Sequence, residues 1–298
     1  MEILLPFPAR TTNHNSRSLC RSDSRQVYKT GDVATSPEQN VFPRIGMIED
    51  FSYDEARHIA ERIASALESP RFYREKQREG NLSRDLFENH PLIHTAFAIL
   101  STYENPYGHG FSHARKVAID SGTIVINETR HLSDKKLRRM VLLVHIAGVL
   151  HDIKRSSPDH AHEGAKEAEI ILREFDLTEK ERRTISQAIA NHEAFKPALP
   201  MQTALDQLLS DALYDADKFR WGPDNFTEMI WDIVISRRVP LSKVLEHFMP
   251  GMKGIKNIRD TFRSQTGKDY GPNFIDLGLQ IGVTLYDELT TAPSKSRV

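Results

Sequence analysis

Apolar side chains settle into a helical rhythm from Ser52 onward. Ile59, Ile63 and Leu67 fall at i, i+4 and i+8 behind an acidic start at Asp54 and Glu55, the spacing that lines one face of a helix. A second stretch, from about 90 to 103, ends at the breaker cluster Asn105-Pro106-Tyr107-Gly108. The pattern then predicts helices over about 112–128, 133–150, 163–175 and 203–219. Between the last two, Thr178 and Glu181 have the capping-box spacing, in which each side chain satisfies an orphan amide of a helix's first turn. Within 133–150 the run Met140-Val141-Leu142-Leu143-Val144 is apolar on nearly every side, so this segment should be a central buried helix. Helical segments at roughly 224–237, 241–248 and 273–290 complete the chain. No alternating apolar run is long enough for a strand, and no internal repeat is present. The predicted fold class is all-α. Residues 1–45, rich in Ser, Thr, Asn and Pro and without periodicity, read as a flexible tail; 46–298 read as a single helical domain.

The exceptions to the pattern carry the chemistry. Leu209, Leu213 and Asp217 share one helical face, so a carboxylate extends an apolar stripe. Left unpaired there, it would cost on the order of several kcal/mol. Ile185, Ile189 and His192 repeat the arrangement at i, i+4 and i+7, and His162 precedes Ala165 and Ala168 on an inward face. His151 and Asp152 stand together at the end of the most hydrophobic helix. Each case alone has a structural explanation, such as a hydrogen-bonded core histidine or an aspartate that caps a neighbouring helix. Together, several separate elements point imidazole or carboxylate inward, and one divalent ion would satisfy them all.

Composition narrows the chemistry further. The sole cysteine, Cys20, lies in the tail, so a zinc-thiolate site or an intrachain disulfide is excluded, and a reducing compartment, the cytoplasm, is expected. With 40 basic and 41 acidic residues the formal charge is −1, which provides no bulk attraction for nucleic acid or an anionic membrane. The basic stretch 253–268 (Lys253, Lys256, Arg259, Arg263, Lys268) reads as a solvated helix face, since only Phe262 interrupts it as an aromatic. No run approaches the roughly 18 apolar residues of a membrane span.

His113, then His151-Asp152, then Asp217 resembles the H…HD…D signature of the HD-domain superfamily of metal-dependent phosphohydrolases. The flanking text is similar too: Gly108-His109-Gly110-Phe111-Ser112-His113, Val149-Leu150-His151-Asp152-Ile153, and Asp215-Ala216-Asp217-Lys218-Phe219, in which the second aspartate is the ligand. The resemblance covers roughly 105–240. It implies an HD-domain-like helical bundle with additional flanking helices, and a divalent ion (Mn, Fe, Co, Ni, Zn or Mg) held by His113, His151, Asp152 and Asp217. His162-Glu163 and Asn191-His192-Glu193 fall where members carry further histidines, so a second metal through His162 and His192 stays open; a single ion is preferred.

The implied activity is hydrolysis of a small phosphorylated substrate, a nucleotide or metabolite, by a metal-activated water. Asp152 or Asp217 would orient that water or accept its proton, and His162, His192 and Lys154 would face the phosphoryl group. Arg155 and Lys218 read as solvated. The alternative is a catalytically silent module that senses a nucleotide or a metal. Segments 46–104 and 241–298 would shape the pocket or a contact between two copies of the chain, and Phe219 and Trp221 read as core.

Overall fold

The computed structural model describes residues 51–103 and 110–291. The tail expected at 1–45 and the breaker cluster at 105–108 lie outside them. Every regular element among the described residues is helical: α1 (Tyr53–Ser65), α2 (Arg71–Glu75), α3 (Gln77–Asn89), α4 (Pro91–Leu100), α5 (Gly110–Glu128), α6 (Asp134–Leu150), α7 (His160–Ile171), α8 (Glu179–Ala190), α9 (Ala204–Phe219), α10 (Ile230–Ser236), α11 (Leu241–Glu246), α12 (Phe248–Ile258) and α13 (Gln265–Thr291). None of them is long and apolar enough to cross a membrane.

The helix starts follow from local chemistry. Ser52 caps α1 and Thr178 caps α8, each with its partner Glu55 or Glu181 closing the box. Thr203 accepts from the Asp206 amide at the head of α9. Capping of this kind contributes ~1 kcal/mol per helix. Helices α5 and α6 form the centre of the bundle; Met140 through Leu150 are all buried, as expected of an element apolar on every side. They pack on each other, with α3 and α9 against α5 and α8 against α6. At their crossing a Cβ on Gly148 would lie 2.6 Å from the Ala118 Cα, so only glycine permits the approach.

Helix α13 starts at Gln265, earlier than the sequence predicts, and runs through Pro272. The proline removes one backbone hydrogen bond, yet packing continues on both sides of it, with Tyr270, Phe274 and Ile275 all buried. Residues 253–268 do not form one basic face. Lys253 and Lys256 are exposed on α12, but Arg259 bonds Asp276, and Arg263 lies over the Tyr214 ring and donates to the Asn191 carbonyl. Phe219 and Trp221 are core residues, the former stacked on Phe274 at 4.2 Å.

Candidate metal centre

Five helix ends meet beside the α5–α6 crossing. His113 sits in the first turn of α5, His151 and Asp152 directly follow α6, Asp217 occupies the last turn of α9, and His192 follows α8. His160 is the first residue of α7. Helix ends suit this purpose because their side chains converge on a point while the helix bodies remain packed.

The first group is His113, His151 and Asp217, whose ligand atoms all lie within 4.8 Å of one another. His113 Nε2 is 3.1 Å from His151 Nε2 and 3.3 Å from Asp217 Oδ1. Asp152 Oδ2 stands 3.8 Å from His113 Nε2 and 3.6 Å from His151 Nε2. Bonds of ~2.1 Å to a divalent ion put neighbouring donors ~3.0 Å apart in an octahedron and ~3.4 Å in a tetrahedron, so the spacing fits one shared cation. The tautomer fits as well. His151 Nδ1 donates to the Gly148 carbonyl at 2.8 Å, which turns the Nε2 lone pair toward the group.

The second group is Asp152, His160 and His192. Asp152 presents its other oxygen here: Oδ1 is 3.5 Å from His192 Nε2 and 3.9 Å from His160 Nε2. His192 Nδ1 donates to the Ile189 carbonyl at 2.6 Å, and its buried Nε2 has no hydrogen-bond partner. A buried acceptor left over in this way costs about 1–3 kcal/mol unless something electropositive meets it. The positive charge at Asp152 Oδ1 comes from Arg155, whose Nη1 lies 3.1 Å from that oxygen and 3.2 Å from His160 Nε2.

Ionisation follows the geometry. Burial would raise the Asp152 carboxyl, but Arg155, His151 and His192 hold it well below the usual carboxylate range. Burial acts on Asp217 in the same sense and is overcome by Lys218, His113 and His151. Burial lowers His113 and drives His160 to about 3. Burial also opposes a charge on His151, yet Asp152 and Asp217 outweigh it and raise that imidazole. Two anionic carboxylates beside imidazoles, of which His113 and His160 are held toward the neutral form, are the donor set a divalent cation requires.

Supporting contacts tie the two groups together. The Lys218 ammonium, buried, bonds Asp217 Oδ2 and the His192 carbonyl, and lies 5.0 Å from the centre of the Tyr214 ring. Asp215, two residues before Asp217 and so turned to another side of α9, accepts from the Arg263 and Ser264 amides at 2.8 Å each. It anchors the loop leading into α13, leaving Asp217 as the aspartate of the pair that faces the cluster.

The structure thus brings together His113, His151, Asp152, Asp217 and His192. It places His162 elsewhere: 57% exposed, its Nδ1 3.3 Å from Asp159 Oδ1. Helix α7 starts at His160 rather than near Glu163, and residues two apart on a helix point to opposing sides. His160, in line with Gly164 and Ala168 at i+4 and i+8, is the histidine that faces inward; that spacing was the available signal. Lys154 pairs with Glu167 at 3.0 Å and stands over the Tyr103 ring. Arg155 and Lys218, expected in solvent, are both drawn inward by the carboxylates beside them.

No protein-family model, curated protein or solved structure matches this chain.

Proposed function

We propose that the chain is a metal-dependent phosphohydrolase of the HD-domain type. The observation that carries the reading is the convergence of His113, His151, Asp217 and Asp152 Oδ2 at distances suited to one cation. The order of these ligands along the chain, H…HD…D, supports the family, and the all-helical architecture is consistent with it. These four residues would hold the ion, while Asp152 Oδ1, His160 and His192 offer a second set of donors. A divalent ion bound there supplies a Lewis acid for a phosphoryl oxygen and lowers the pKa of water.

The protein's own groups do the rest. Gly148 fixes the His151 tautomer, and Lys218 holds Asp217 in place while balancing its charge. Asp152, ionised and bonded on one side to Arg155, is the base that can take a proton from an attacking water between the two groups. The Arg155 guanidinium provides the polar contact for phosphoryl oxygens. The burial of the cluster makes each of these charges count for more than it would in water.

The test is a screen of phosphomonoesters and nucleotides with Mn, Co, Ni or Mg, run in parallel on Asp152→Ala. Hydrolysis that depends on metal and falls by at least about a hundredfold in the variant supports the reading. Metal bound without turnover of any substrate contradicts it in favour of a sensing module.

A further inference from the structure

A cleft that opens to solvent borders the cluster. His113 and Asp152 are among the residues that line it, so an occupant can reach the donors directly. Beyond them its walls are apolar and aromatic: Leu100, Tyr103, Phe111, Val149 and Ile153. Phe111 is 51% exposed although it begins a helix of the core, and its ring stacks on Phe97 at 5.8 Å with an interplanar angle of 23°. A bulky aromatic held by stacking with its other side uncovered offers a flat apolar surface to a ligand.

The charges of the cleft are as informative. Among the described residues, Arg155 is the one cationic side chain that lines it, and this guanidinium is already bonded to Asp152. Lys154, which stands over the Tyr103 ring, is paired with Glu167. A polyphosphate chain requires several uncommitted Lys or Arg side chains to offset its charge, and the described residues of the cleft do not supply them. One phosphoryl group can be met by the metal donors and Arg155; the remaining space favours apolar surface.

Building on the phosphohydrolase reading, we propose that the substrate is a phosphate monoester whose organic part carries an apolar ring seated between Phe111, Tyr103 and Val149, and that polyphosphates are excluded. Hydrolysis would transfer the phosphoryl group to water: the ester P–O bond breaks, a P–O bond to the water oxygen forms, and the leaving alcohol takes up a proton.

The experiment is calorimetric binding to the full-length protein with Mn added, using two non-hydrolysable probes, benzylphosphonate and methylphosphonate, and pyrophosphate. Benzylphosphonate should bind at least about tenfold more tightly than methylphosphonate or pyrophosphate, reflecting the apolar area of one ring. Phe111→Ala, a change at an exposed position that leaves the core intact, should cut that preference several-fold, whereas Phe195→Ala, at an exposed aromatic outside the cleft, should leave it unchanged. Equal binding of the two phosphonates, tighter binding of pyrophosphate, no binding of any probe, or a preference untouched by Phe111→Ala would overturn the proposal. Because the readout is affinity, it is separable from catalysis. Preferential benzylphosphonate binding with no turnover of phenyl phosphate would sustain the ring site while refuting the hydrolase.

Discussion

Lowering the pH should destabilise this protein through one residue that takes no part in the cluster. His145 lies in the middle of α6, wholly buried, with the Phe87 ring edge-on to it at 5.4 Å. Ser83 Oγ is 2.7 Å from the Ile119 carbonyl, so its single proton goes there, and it accepts from His145 Nε2–H at 2.9 Å. The remaining nitrogen, Nδ1, has no partner. A proton added at Nδ1 would create a buried charge and an orphan donor together, and burial accordingly lowers this imidazole from 6.5 to about 3. The unfolded chain accepts a proton that the native state refuses. Stability from this source is therefore intact above about pH 6.5 and declines as pH falls toward 3. By about pH 5 the loss is ~2 kcal/mol.

Urea unfolding with chelator present, at about pH 7.5 and about pH 5, compares the wild type with His145→Gln. The variant cannot titrate at this position, so all other groups cancel in the difference of differences. The wild type should lose ~2 kcal/mol more than the variant over that interval, a relative shift of roughly 1 M in midpoint. Equal losses in the two proteins would refute the assignment of His145 as a neutral, unprotonatable core residue.

Gly148→Ala should cost ~2–3 kcal/mol in urea unfolding and weaken metal binding, because the new methyl meets the Ala118 backbone and shifts the carbonyl that orients His151; a change below about 0.5 kcal/mol would contradict the close-approach argument. Asp215→Asn should destabilise by ~1–3 kcal/mol, since its amide can accept from only one of the two loop amides, while bound metal stays constant; Asp217→Asn should lose metal, and stability with it because the buried Lys218 is left without its carboxylate, and metal analysis beside thermal unfolding separates the two. Arg155→Ala should raise the number of Mn ions bound per chain in calorimetric titration, because it frees Asp152 Oδ1 and His160 for a second cation; unchanged stoichiometry would show that Arg155 does not compete for that position.

How much of this was legible in the sequence depends on the kind of signal each residue leaves. The capping boxes at Ser52 and Thr178 and the apolar run of α6 are local, and the structure bears out the all-helical fold built from them. Asp217 and His192 were visible because they interrupt apolar stripes, and the structure buries both beside the other predicted ligands. His160 was missed in favour of His162 because the choice depends on where α7 begins, and two histidines two residues apart face opposite ways once the helix is phased. Arg155 and Lys218 were read as solvated because a long cationic chain normally keeps its head in water. Asp217 and the Tyr214 ring share α9 with Lys218, but its ammonium is also held inward by the His192 carbonyl, which the end of α8 contributes. A partner of that kind leaves no trace in spacing along one helix. The apolar cleft likewise draws Leu100, Phe111 and Val149 from three helices and has no linear motif.

Metal content decides whether the buried histidines and aspartates form a metal centre. Protein purified without chelator, then incubated with Mn, Co, Ni or Zn and desalted, should retain about one divalent ion per chain by elemental analysis. Asp152→Ala and Asp217→Asn, with helical content unchanged by circular dichroism, should retain little or none. A well-folded wild-type protein that holds no metal under any of these conditions would contradict the account, and would leave His113, His151, Asp152 and Asp217 as a proton-sharing polar network inside the bundle.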